Sequence, residues 1–166
     1  MNKKNYFWFL IVAVVLVADL VTKALTDGII YQQAIPGIFC IESYHNTGAS
    51  FSLFSGSATA QILFVILGIL VSIAIVVYSI MVKKANLNAW FFIGGALMIG
   101  GIIGNVVDRI ALGYVRDFIS LQFMNFAVFN IADSALTIGV ICLAVWLIFF
   151  AYRENDKGKE SGSKDF

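Results

Sequence analysis

Residues 58–82 run for twenty-five positions without a single Asp, Glu, Lys or Arg. A bilayer core takes about 20 apolar residues at a rise of ~1.5 Å each, so this run is long enough to cross one. Three further segments meet the same test: 6–25, broken near its end by Asp19 and Lys23, and the uncharged runs 89–107 and 134–152. Apolar residues make up 60% of the 166 and charged residues 13%, where a soluble domain carries about 25% charged. A soluble domain of this size has too little interior for that much apolar surface, so lipid is the solvent. The expected fold is an all-α membrane protein of four antiparallel transmembrane helices. Residues 1–152 form the single domain, and 153–166 form a polar, solvated cytoplasmic tail.

Basic residues orient the chain. Lys3, Lys4, Lys83, Lys84, Arg153, Lys157, Lys159 and Lys164 are eight of its eleven, and all fall on one side of the four spans. The 26–57 connection has none. Cytoplasmic loops carry the excess of Lys and Arg, which places both termini in the cytoplasm. The first span also has the look of a signal peptide, with a basic start and an apolar core. Leu16 and Ala18 make a poor cleavage site, however, and three spans follow, so its retention is expected. The 26–57 connection alternates apolar residues with turns at Ile35-Pro36-Gly37 and Asn46-Thr47-Gly48, predicting a small β-rich lip on the extracytoplasmic side.

Several chemistries are absent from this inventory. A net charge of +1 offers no electrostatic footprint for nucleic acid. One His and two Cys cannot build a His-rich or four-Cys metal centre, and no phosphate-cradling G-x-x-x-x-G-K-[ST] loop occurs. No metal and no cofactor are expected.

The polar residues that remain share a depth. Asp19 and Lys23 sit in the outer third of span one, Asn105, Asp108 and Arg109 at the outer end of span three. Asp117 follows in the outer loop, and Asp133 opens span four. The inner halves of the spans carry no ionisable group. Charge near a membrane core is costly and marks function by default. An ion carrier needs polar groups that continue through the midplane, and helix packing through Gly100 and Gly104 gives no reason to gather carboxylates. A Cys40–His45 thiol pair lacks an orienting third group, and a Ser–Lys dyad would have to use Lys23. Paired carboxylates fit best. Two held close share one proton and titrate as a unit; one then takes a proton from water while the other polarises a scissile carbonyl. The alternatives are a non-aspartic Ser–Lys membrane peptidase and a small scaffold or transport protein.

Each residue also has a plainer reading. Asp133 with Asn130 resembles a helix cap, Asp117 a wet loop carboxylate, and Asp108–Arg109 an adjacent surface pair. Asp19 and Lys23 are i,i+4 neighbours on one helix face.

Four blocks occur in order: Asp19-Leu-Val-Thr-Lys23, Asn46-Thr-Gly-Ala-Ser-Phe51, Gly104-Asn-Val-Val-Asp-Arg109 running on to Gly113-Tyr-Val-Arg-Asp-Phe118, and Phe129-Asn-Ile-Ala-Asp-Ser134. Together they resemble the lipoprotein signal peptidases (signal peptidase II), bacterial inner-membrane aspartic proteases with four spans. The resemblance implies that Asp117 and Asp133 are the catalytic dyad. It implies that Asp19, Asn46, Asn105, Arg109 and Asn130 position substrate and brace the dyad. The implied substrates are prolipoproteins whose lipobox Cys bears a diacylglyceryl group, cleaved just before that Cys by a monomer in contact with membrane lipid. Globomycin-type cyclic peptides are the implied inhibitors. The chain departs from the family pattern at Leu20 (usually Gln), Ser50 (Ala), Ala127 (often Pro) and Arg116 (an apolar residue).

Overall fold

The computed structural model describes residues 3–48, 57–81 and 87–162. Residues 49–51 of the second block, Ser50 among them, and Lys83, Lys84 and Lys164 lie outside the described residues. In chain order come helix α1 (Lys3–Thr26), strands β1 (Gln32–Ile35) and β2 (Phe39–Asn46), helices α2 (Ala58–Met81) and α3 (Ala89–Leu112), strand β3 (Val115–Leu121) and helix α4 (Ile131–Gly162). Four stretches are long and apolar enough to cross a membrane: Tyr6–Thr26, Thr59–Met81, Ala89–Leu112 and Ile131–Phe149.

Two helix ends differ from the sequence expectation, for the same reason. The charge at Asp108 predicts that span three ends at residue 107, yet α3 runs to Leu112. Asp108 is only 1% exposed and ion-paired, so it does not interrupt the helix. The helix stops at Gly113, which takes a left-handed φ of 79° and returns its N–H to the Arg109 carbonyl at 3.1 Å; glycine alone adopts that turn without a Cβ penalty. Asp108 and Arg109 are therefore helical residues, and the adjacent surface pair does not exist. Similarly, α4 opens at Ile131, ahead of residue 134, because Asp133 belongs to its first turn. The α4 backbone stays helical through Gly162, across most of the segment assigned to the tail.

Helix α3 is the centre of the assembly. It packs against α1, α2 and α4. Of its apolar window 56% is buried, against 11% for α2, whose sides are left for lipid. The close approach depends on small residues: at Gly104 a Cβ would run into the Asp19 carboxylate on α1 and meet the Ala132 Cβ on α4 at 3.4 Å. At the opposite end of α3, Phe91 packs with Leu87 and Trp146.

The strands form one antiparallel sheet in the order β1-β2-β3. The 26–57 connection supplies the expected hairpin, turning at Gly37 with φ 71°. The third strand comes from the connection between α3 and α4, where the sequence predicts only a loop. Its buried positions include Val115, Asp117 and Phe118, and an inward carboxylate breaks the alternation by which strands are recognised. Pairing of β2 with β3 sets Tyr44 opposite Asp117 and Asn46 opposite Val115, past a bulge between Ile41 and Tyr44.

Candidate active site

The sheet, the α3 C-terminal turns and the α4 N-terminus meet around Asn130. As the residue preceding α4, Asn130 accepts the Asp133 N–H on its side-chain oxygen at 2.9 Å. Asp133 returns the favour by accepting the Asn130 N–H at 3.2 Å. This is a reciprocal capping box, so the plain reading of Asp133 as a cap is correct. It also holds the carboxylate still. The Asn130 side-chain amide donates to Asp117 Oδ1 at 2.6 Å and to Asn105 Oδ1 at 3.1 Å. Asn46 donates to the other Asp117 oxygen at 2.9 Å, and Asn105 donates to Asp133 Oδ1 at 2.8 Å. Three asparagines from β2, α3 and the α4 cap thus hold two carboxylates through amide N–H groups. Among the described residues, neither Asp117 nor Asp133 is in an ion pair.

Asp117 is not the wet loop carboxylate of its plain reading; it is 2% exposed. Burial, reinforced by the charge on Asp133 and opposed by the hydrogen bonds from Asn46 and Asn130, pushes its pKa up from 3.8 to about 7. A carboxyl in that range holds a proton near neutrality, as members of a carboxylate pair do.

Behind this pair lies a second, differently built group. Lys23 is 0% exposed. Its ammonium lies 2.8 Å from Asp19, as the i,i+4 spacing predicts, and 3.3 Å from Asp108, and it donates to Asn105 Oδ1 at 2.9 Å. Asp19 also accepts the Ala132 N–H at 2.9 Å, tying α1 to the first turn of α4. Asp108 accepts two guanidinium bonds from Arg116, at 2.7 and 3.3 Å, and the Arg116 backbone N–H at 3.0 Å. The bond to Asp108 raises the Arg116 pKa further above its ordinary value.

Asp117 and Asp133 both line a cleft of about 730 Å³ whose walls are α2 and α4 and whose floor is α3. Arg109 enters the same cleft, its guanidinium 5.2 Å from the Phe64 ring centre and donating to the Gly48 carbonyl at 3.3 Å. Below the carboxylates the walls are apolar, with Leu67, Val71, Met98 and Leu136. The cleft therefore has two carboxyl groups at one end and an apolar lining beneath them.

All seven residues singled out in the sequence gather here: Asp117, Asp133, Asn46, Asn105 and Arg109 line the cleft, while Asn130 and Asp19 brace it from behind. Lys23 and Asp108 share the depth of these residues in the sequence, but the sequence assigns a site role neither to them nor to Arg116. The Asp19–Lys23 spacing signals one of these contacts. Nothing in the sequence signals the Asp108–Arg116 bond, which depends on where Gly113 turns the chain.

Residues 11–149 match the family described as signal peptidase (SPase) II. The lipoprotein signal peptidase of Enterococcus faecalis is 37% identical over 152 residues, covering 89% of this chain and 91% of its own. That of Lactobacillus johnsonii is 39% identical over 159 residues, covering 93% and 100%. That of Pseudomonas aeruginosa is 40% identical over 146 residues, covering 83% and 85%. A bacterial membrane enzyme solved by the in meso method at 2.3 Å superposes with a TM-score of 0.75 at 35% identity, over 86% of this chain and 87% of that one. A second, at 1.9 Å, gives 0.73 at 35% identity, over 85% and 92%. Matched along most of its length in both sequence and fold, this chain belongs to the signal peptidase II family of membrane peptidases.

Proposed function

We propose that the protein is an aspartic endopeptidase of the bacterial inner membrane. It removes signal peptides from prolipoproteins by cutting just before the diacylglyceryl-modified lipobox Cys. The observation that carries the reading is the pair Asp117 and Asp133, directed into one cleft and held by amide N–H groups. With one proton between them, the ionised member takes a proton from water, whose oxygen attacks the scissile carbonyl. The protonated member gives its proton to the carbonyl oxygen. The tetrahedral species collapses when the amine of the departing Cys receives the proton taken from water, and the C–N bond breaks. One hydroxyl on the former carbonyl carbon returns its proton to the dyad as the new carboxyl forms.

The cleft suits such a substrate. Its apolar lining on α2 and α4 suits part of a signal helix, with the cut site at the carboxylate end. Arg109 lies where a main-chain carbonyl or the glyceryl ester would pass. The Lys and Arg bias of the flanks places both termini in the cytoplasm, the four helices antiparallel, and the sheet and carboxylates at the outer leaflet. Substrate then arrives sideways from the bilayer into a monomer, and a globomycin-type cyclic peptide competes for the same cleft. A Ser–Lys mechanism is disfavoured because the Lys23 ammonium is enclosed by Asp19, Asp108 and Asn105, which leaves it no free base to offer a hydroxyl.

The test is to express Asp117→Asn and Asp133→Asn separately, verify insertion, and follow cleavage of a diacylglyceryl-modified precursor. Each variant is expected to lose turnover; wild-type cleavage by either one refutes the dyad.

A further inference from the structure

We infer that Lys23 is a positioning residue for the reaction, its buried ammonium fixing the Asn105 amide so that an N–H stays on Asp133 throughout turnover. The inference rests on the dyad reading above and adds to it a residue outside the reacting pair.

An amide side chain has a donor end and an acceptor end of nearly the same shape, so its orientation is decided by its neighbours. Asn105 Oδ1 faces the Lys23 ammonium at 2.9 Å and the Asn130 amide at 3.1 Å; Asn105 Nδ2 faces Asp133 Oδ1 at 2.8 Å. An ammonium has donors only, so Lys23 admits just one orientation of Asn105. Asp133 cannot supply that constraint through a whole cycle. As a carboxylate it accepts, but as a carboxylic acid it also donates, and an Asn turned end for end would then suit it. Lys23 lies outside the reacting pair and takes no part in the proton transfers proposed above. It is itself anchored by Asp19 and Asp108 at 2.8 and 3.3 Å and has no exposed surface. The orientation also passes to the second carboxylate, because Asn130 bonds both Asn105 Oδ1 and Asp117 Oδ1.

A bland alternative is that Lys23 only neutralises Asp19 and Asp108. The two roles separate in variants that keep the charge balanced. Lys23→Met/Asp19→Asn removes one charge of each sign, and Asn retains an oxygen for the Ala132 N–H. It is compared with Asp19→Asn, each with and without Asn105→Ala, using the full-length enzyme in detergent and a diacylglyceryl-modified precursor. If Lys23 acts through Asn105, losing it lowers kcat about ten- to a hundredfold and leaves KM within about twofold. In the Asn105→Ala background the same change costs little more, so the two losses do not multiply. Restoration of wild-type kcat by charge balance alone overturns the inference, as does a full multiplicative loss in the Asn105→Ala background. Neither result bears on the dyad itself, which fails only if Asp117→Asn or Asp133→Asn still turns over. Should the Lys23→Met pair not accumulate in the membrane, Lys23→Gln/Asp19→Asn gives the same comparison: its amide can turn either end to Asn105, so a kcat equal to that of Asp19→Asn overturns the inference and a lower one supports it.

Discussion

Asp19 and Asp108 lie against a buried ammonium, with Arg116 closing the far side of Asp108; Asp117 and Asp133, a few side chains away, have asparagines for neighbours. The four acids share one end of the helices and differ in their partners. Cations bind the first pair, and these contacts stitch α1, α3 and β3 together. Amides orient the second pair without supplying a countercharge, and burial there raises the Asp117 pKa to about 7. One short stretch of chain serves both ends: Arg116 secures Asp108, and the next residue is Asp117.

This contrast can be broken from either side. The largest effect is expected from exchanging the carboxylates for amides one at a time and reading turnover. Asp117→Asn and Asp133→Asn should each lower kcat about 10³-fold or more, with the protein still inserted. Next comes stability. Asp108→Ala leaves Lys23 with one carboxylate and Arg116 with none, and should cost about 3 kcal/mol, read as a lower unfolding temperature in detergent. Asp117→Asn should do the reverse at alkaline pH. The folded state holds the Asp117 proton up to about pH 7, against 3.8 ordinarily. The stabilisation from that tighter binding is complete below pH ~4 and is lost as pH rises through 7. At pH 8 the ionised, buried carboxylate is a liability, and Asn removes it, so the variant should gain about 1–3 kcal/mol there and nothing at pH 4. Wild-type kcat should fall over the same interval as the shared proton departs. The smallest effect belongs to Arg116→Ala: the guanidinium is 18% exposed, and Lys23 still faces Asp108, so about 1 kcal/mol is expected.

The four spans were legible because uncharged runs of such length have one stable environment. The site residues were legible from their shared depth and, more sharply, from the blocks that resemble signal peptidase II. What escaped were contacts made by the turns. Asp108 reads as the end of a helix because charge usually ends a span; it is instead neutralised inside one by a lysine 85 positions earlier in the chain. Strand β3 was hidden by Arg116 and Asp117, residues a strand predictor takes as loop. Asn130 reads equally as a cap and as a ligand of the dyad, and it is both.

Two hydrogen bonds couple distant parts of the chain in a way that bears on biogenesis. Asn46 reaches Asp117 across 71 positions, and Asp19 reaches Ala132 across 113. A polypeptide still emerging from the ribosome can thread its first three spans into the bilayer with Asn46, Asn105 and Arg109 already made. The arrangement of Asp117 and Asp133 nonetheless stays incomplete until the last segment arrives and seats its cap. Synthesis order thus makes the arrival of α4 the step that completes it.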